Sequence, residues 1–304
     1  MKNNLFLTLF VAVLFLAACK NENAKTPTQG DDSIAGLEKS LEATLDKDKA
    51  EKLVAQYQQY IDEHPDDKVT NAKYLYRTAS LYYRQNQYPA AAEKLMEVLT
   101  TYKGSEVSAS SLHLLGDLYK NNMNYPSLGA DLHQYLVKTY PKYEELATVK
   151  KNITTDSKPL AERVTEIAGK IYDETNTLPN TRMARKYITA CEVNGLVNPG
   201  DPKAAELLFK AATTARTTVR NPEQALRIYD WIYNEFSNYE KSYHALFMKA
   251  FTLDDEMKQF DEAKKYYQKF LDKYPNDEFA VSSKFLLENL GKSDDEIIKQ
   301  FEKK

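Results

Sequence analysis

Residues 260–277 read FDEAKKYYQKFLDKYPND. Ala263, Tyr267 and the pair Phe270-Leu271 fall three and four apart, the spacing that lines one face of a helix. Nothing in the stretch sustains the period of two that a strand requires. Pro275 then follows, a residue that cannot continue a helix because it lacks an N–H and its ring strikes the preceding turn. The stretch reads as one helix with a defined end.

The same punctuation recurs along the chain. Pro89, Pro126, Pro179 and Pro222 each fit the first turn of a helix, where a missing N–H costs nothing. Pro65, Pro141, Pro199 and Pro275 each follow one. The intervals are regular: 126 − 89 = 37 residues, and 261 − 222 = 39 from Pro222 to the equivalent Asp261. Ala79-x-x-Tyr82, Gly116-x-x-Tyr119 and Gly169-x-x-Tyr172 sit ahead of their prolines. In each the small residue admits a neighbouring helix and the aromatic fills the space beside it. Val98-Leu99, Tyr135-Leu136, Trp231-Ile232 and Phe270-Leu271 are equivalent core pairs on the second helices. Self-similarity at this period marks a solenoid of stacked helix pairs, and an apolar content of 42% suffices for its core.

The stretch from Phe260 to Tyr267, continued by Lys273-Tyr274-Pro275-Asn276-Asp277, resembles a tetratricopeptide repeat (TPR). Ala263 matches the family's small residue on the second helix, Tyr267 its aromatic and Pro275 its closing proline. The first helix of this unit departs from the pattern, with Phe251 where a small residue is expected. The unit around Tyr88 keeps Ala79, Tyr82 and Ala91 but has Lys103 where the proline belongs. The resemblance implies an all-α chain, a right-handed α-solenoid of about six TPR-like helix pairs with a C-terminal capping pair. Gly291 fits the end of one capping helix, and Ser293-x-x-Glu296 fits the capping box that opens the next. Between the third and fourth units the first-turn prolines lie 179 − 126 = 53 apart, which is 53 − 37 = 16 more than the interval above. The stretch 142–158 is therefore an insertion that either forms an extra helix or breaks the solenoid into two lobes. The second helix of the fourth unit, RMARKYITACEV (182–193), is basic, lacks a large pair at Ile188-Thr189, and reads as a loosely packed joint.

The amino terminus has a different character. Lys2 precedes the apolar run LFLTLFVAVLFL (5–16), which is too short for a bilayer-spanning helix of about 20 residues and reads as the apolar region of a signal peptide. Leu16-Ala17-Ala18-Cys19 resembles the lipobox of bacterial lipoproteins. That resemblance implies cleavage before Cys19 and acylation of its sulfur, with two or three chains giving a stable membrane anchor. Residues 20–36 hold almost no large apolar side chain and read as a tether. Lys20, rather than Asp, after the lipid-bearing cysteine implies sorting to the outer membrane. The resulting organisation is 1–18 signal peptide, 19–36 lipidated flexible tether, 37–141 units one to three, 142–158 insertion, and 159–304 units four to six with the cap. Cys191 is then the only other thiol, so no internal disulfide is expected.

Chemistry is scarce. Lys and Arg number 41 against 44 Asp and Glu, mixed in sign, which excludes the basic face of a nucleic-acid binder. His64, His113, His133 and His244 are spread along the chain, no pair at metal-ligand spacing and none in HExxH. Gly291-Lys292-Ser293 lacks the glycine five residues earlier that a phosphate loop needs, where Leu286 stands. No cofactor, metal or nucleophile–base set is expected, and the chain reads as a non-enzyme.

The TPR resemblance implies instead a peptide-holding groove on the first helices. Carried over, its positions are Lys73, Tyr76, Ser80 and Tyr83 in unit two, Ser110, His113, Asp117 and Lys120 in unit three, and Arg163, Glu166, Lys170 and Asp173 in unit four. Lipobox, tether and repeats together resemble the lipoprotein of the outer-membrane β-barrel assembly machinery and the periplasmic repeat proteins of envelope constriction. They imply a scaffold, lipid-anchored in the outer membrane and facing the periplasm, that docks other envelope proteins or peptides. The other reading is a nutrient- or glycan-capturing helical-repeat lipoprotein, for which only 142–158 could frame a pocket.

Overall fold

The computed structural model describes residues 32–153, 158–172, 178–293, 295–296 and 298–299. The signal-like segment, Cys19 and the tether up to residue 31 lie outside the described residues, as does Asp173. Among the described residues the chain is all-α. Its helices are α1 (Ile34–Ala43), α2 (Lys47–Glu63), α3 (Lys68–Arg84), α4 (Tyr88–Thr101), α5 (Ser108–Asp117), α6 (Pro126–Thr139), α7 (Leu146–Asn152), α8 (Leu160–Ala168), α9 (Thr181–Val197), α10 (Pro202–Thr214), α11 (Pro222–Glu235), α12 (His244–Asp255), α13 (Phe260–Lys273) and α14 (Phe279–Glu288). No helix among these residues is long and apolar enough to cross a membrane.

Packing divides the chain into two compact units, one ending at Leu95 and the other beginning at Met96. In the first, α1 to α3 close on Leu37, Leu41, Ala50, Leu53, Tyr57 and Leu81. Helix α1 opens at Ile34, inside the stretch read as tether, with the Ser33 hydroxyl accepting from the N–H of Gly36. The second unit is a ladder in which α5 packs on α6, α6 and α8 pack on α9, and α9 to α14 pack successively as helix pairs of the TPR type. The insertion supplies an extra helix, α7, which lies on α6. Helix α14 caps the ladder by packing on α13, and the Ser293–Glu296 capping box closes reciprocally at 2.8 and 3.4 Å.

Four turns set the repeat. Asn86 (φ 59°), Asn124 (60°), Arg220 (58°) and Lys258 (55°) are left-handed, and each stands two residues ahead of a 14-residue helix: α4, α6, α11 and α13. The N–H of the following residue reaches back to close the first helix, from Gln87 to Tyr82, Tyr125 to Tyr119, Asn221 to Ala215 and Gln259 to Leu253. The interval is thus 124 − 86 = 38 and again 258 − 220 = 38. This corrects the 37 and 39 taken from prolines, because Pro89 is the second residue of α4 while Pro126 and Pro222 are first in theirs.

In this register the core aligns. The fourth residue of the second helix is Ala91, Gly129, Ala225 or Ala263, the eighth is Leu95, His133, Tyr229 or Tyr267, and the eleventh is Val98, Leu136, Ile232 or Phe270. All of them are buried. Enclosing a large apolar side chain in this way contributes about 1.5–3 kcal/mol each, so one misplaced residue per turn would be costly.

The first helices carry a shift the sequence hides. Ala79 lies 86 − 79 = 7 residues before its left-handed turn, whereas Gly116, Ala212 and Ala250 lie eight before theirs (124 − 116, 220 − 212, 258 − 250). In two of these helices the extra residue is taken up by a π-helical turn, Leu118–Asn122 after α5 and Ala215–Val219 after α10. The small residue of the last unit is therefore Ala250, fully buried, and Phe251 is not a departure from the pattern.

Unit four differs from expectation. Helix α8 stops at Ala168, so Gly169 lies beyond it with no close neighbour and Tyr172 is 64% exposed. Pro179 precedes α9 instead of opening it. Helix α9 is no loose joint: its residues from Ala190 to Leu196 are all buried, and Gly195 sits so close to Leu208 and Trp231 that a β-carbon there would come within 2.7 Å of both. Burial also pushes the Cys191 thiol up to about 12, which makes it inert.

Arg220 and Lys258 are exposed and left-handed. A side chain in that region costs about 1–2 kcal/mol, partly offset by the unfolded-state entropy that glycine adds. Arg220→Gly is therefore expected to stabilise by roughly 0.5–1 kcal/mol, measured as a raised urea midpoint at unchanged slope.

Candidate functional site

On α3, Lys73, Tyr76, Ser80 and Tyr83 are all half-buried and follow one another at helical spacing. The Ser80 hydroxyl donates to the Tyr76 carbonyl at 3.0 Å and is thus engaged within its own helix. The adjoining flank of α3, one residue on from Tyr76 and Tyr83, fastens it to α1. Arg77 pairs with Glu38 at 2.6 Å, Arg84 donates to the Leu41 carbonyl at 2.7 Å, and the Tyr57 hydroxyl donates to Glu38. A groove of about 480 Å³ opens between α2, α3 and the start of α4, lined by Val54, Gln58, Thr78, Tyr82, Gln85 and Lys94 among others. Tyr82, read as an interior aromatic, is half-buried on its wall. None of the residues expected to line a groove lines this one.

The carried-over positions of unit three do not form an open face. His113 and Asp117 are one helical turn apart on α5, with His113 Nε2 3.4 Å from Asp117 Oδ2. Helix α6 brings His133 to the same place, its Nε2 3.5 Å from Asp117 Oδ1 and 3.3 Å from the His113 carbonyl. The two imidazoles meet edge to face at 5.7 Å. Tyr143, from the insertion, covers the other side of His113, its hydroxyl 3.1 Å from Nδ1, with a Glu145 carboxylate oxygen 3.7 Å from the same atom.

This geometry exists because α5 and α6 cross at glycines. A β-carbon on Gly116 would stand 2.4 Å from the His133 ring, and one on Gly129 would stand 2.4 Å from the Gly116 carbonyl. Burial holds the His133 imidazole below its usual range, against the pull of Asp117. Lys120 lies in the π-helical turn beside Gly129 and is half-buried. The expectation that the histidines are unrelated is thereby corrected for His113 and His133.

In unit four, Arg163 is committed to a bidentate pair with Asp131 of α6, at 2.8 and 2.7 Å. Lys170 is exposed but lies past the end of α8, off the helix face on which it was placed.

The family model of the tetratricopeptide repeat matches residues 73–105 and 244–277. The matches cover most of α3 with α4, and α12 with α13, two of the helix pairs joined by left-handed turns. No curated protein matches the chain. The chain thus carries a TPR-like region within a helical-repeat scaffold capable of holding other proteins, an architecture typical of non-catalytic proteins.

Proposed function

We propose that this chain is a lipid-anchored scaffold of the bacterial envelope that docks partner proteins on its helix pairs. The observation that carries the proposal is the lipobox-like Leu16-Ala17-Ala18-Cys19 placed ahead of a repeat region of a protein-binding type. The anchor would hold the protein at the outer membrane, and the polar stretch after Cys19 would let the repeats face the periplasm. Roles in outer-membrane protein assembly or in envelope maintenance both fit a scaffold of this kind. Capture of a nutrient or glycan gains no support from the insertion, whose described part packs on α6 as α7.

Replacing Cys19 with serine is expected to abolish labelling by radioactive palmitate and release the protein from membranes. A mutant that stays labelled and membrane-bound would remove the anchor from the proposal. For the docking face, α3 is the favoured element, because Tyr76 and Tyr83 offer half-exposed aromatic rings, a residue type from which binding hot spots are built, with the Lys73 cation on the same face. The double change Tyr76→Ala with Tyr83→Ala is expected to weaken partner recovery from solubilised envelopes by about 2 kcal/mol. Thermal unfolding of the same variant separates binding from packing: a large fall in melting temperature would show these rings to be core and sink the assignment.

A further inference from the structure

We propose that His113, Asp117 and His133 form a binding site for one divalent transition-metal ion, best suited to Zn²⁺, at the crossing of α5 and α6. One donor atom from each residue lies within 4.8 Å of the others. A tetrahedral ion with bonds of about 2.0–2.2 Å places its ligand atoms roughly 3.3–3.6 Å apart. His113 Nε2 stands 3.4 Å from Asp117 Oδ2 and His133 Nε2 3.5 Å from Asp117 Oδ1, so both imidazoles already meet the one carboxylate, and a small turn of that side chain presents a single oxygen to an ion between them.

The repeat itself shows that these residues are out of pattern. The positions of His113 and His133 correspond to Phe209 with Tyr229 and to Phe247 with Tyr267 in later units. Those pairs meet at 5.7 and 6.1 Å, close to the 5.7 Å of the two imidazoles. Packing is satisfied there by a phenylalanine and a tyrosine whose hydroxyl reaches Thr213 in one pair and Asp254 in the other. In this unit alone of the three, both rings carry nitrogen and a carboxylate sits beside them, although His133 is completely buried. Its Nδ1 has no hydrogen-bond partner among the described residues, a cost that an aromatic hydrocarbon would not incur.

The surroundings suit an ion. Tyr143 and Glu145 stand on the Nδ1 side of His113, leaving its Nε2 to face Asp117, the placement that outer partners give metal-bound histidines. The contact between His133 Nε2 and the His113 carbonyl is long at 3.3 Å, so the ion displaces only a weak bond. The Asp117 side chain is 38% exposed, giving access and room for a water as fourth ligand. Two imidazoles and one carboxylate select borderline first-row ions over Mg²⁺ or Ca²⁺. A bound ion would tie α5 to α6 and, through His113, to the insertion.

The full chain, purified in detergent and stripped with chelator, is titrated with Zn²⁺ by calorimetry and with Co²⁺ by visible absorption. The expected result is one saturable site and the absorption of tetrahedral Co²⁺. Asp117→Asn and His113→Ala, both at partly exposed positions, should each weaken affinity at least about 100-fold, and Tyr143→Phe about tenfold. His64→Ala should leave it unchanged, and Zn²⁺ should raise the melting temperature of the parent but not of Asp117→Asn. Circular dichroism establishes that each variant is folded. Absence of saturable binding to the parent, or parent-like affinity in folded Asp117→Asn and His113→Ala, would falsify the site and leave the triad a hydrogen-bonded cluster.

Discussion

Glu192→Ala is expected to destabilise the protein by about 3–5 kcal/mol, the largest loss anticipated from any single truncation here. Glu192 sits in the middle of α9 with its side chain 3% exposed and is bonded to Arg227 of α11, whose side chain is 12% exposed. Gln224, one turn earlier on α11, donates to the second carboxylate oxygen at 3.2 Å. Removing the carboxylate leaves a guanidinium shut away from water without its anion. The pair need not be stabilising as a whole. Replacing Glu192 and Arg227 together by leucine is expected to cost far less than either truncation, because neither charge is then buried. Urea unfolding of both single variants and the double variant measures this. If the single losses simply add, the residues do not act as a pair.

Gly116→Leu is expected to cost about 3 kcal/mol, the upper end of what overpacking a core site usually does. Its β-carbon alone would lie 2.4 Å from the buried His133 ring and 3.2 Å from the Gly129 carbonyl. The ring cannot swing aside without meeting α5, and the Gly129 carbonyl is fixed in α6. The helices must then separate. Gly116→Ala should already be destabilising, although alanine is intrinsically the better helix former by about 1 kcal/mol. Calorimetric melting decides the matter, since a rise in melting temperature for either variant would mean that α5 and α6 do not cross at these residues.

The helices and their order could be read from the chain because proline and apolar spacing act locally. Pro126 and Pro222 open their helices, and Pro65, Pro141, Pro199 and Pro275 follow theirs. Two kinds of feature escaped. The later first helices place their small residue eight residues before the left-handed turn, against seven for Ala79, and no change of composition marks the shift, so the repeat position of Phe251 was misassigned by one; π-helical turns take up the extra residue after α5 and α10. The motif at Gly169 failed for a related reason, since a small residue followed by a tyrosine says nothing about whether the helix extends that far. The charged cores were also hidden. Glu192 and Arg227 lie 227 − 192 = 35 residues apart, and His133 meets His113 and Asp117 only because two glycines let their helices touch. The i, i+4 relation of His113 to Asp117 was visible, but a search confined to pairs of histidines passes over it. Helix α9 was misjudged because Arg182 and Arg185 mark its exposed stripe, while its small residues reveal nothing of how deeply the other face is sunk.

The turns at Arg220 and Lys258 share one backbone geometry, and 38 residues separate them. A recombination event joining the first to the second would excise one helix pair, and the reverse event would duplicate it. In either case the junction would reproduce a turn the chain already makes, and both flanking helices would keep their native entry and exit. Shorter and longer alleles could therefore arise in a single genetic step with no unfamiliar loop to be accommodated, so that the length of such a scaffold would be free to follow the reach its partners demand.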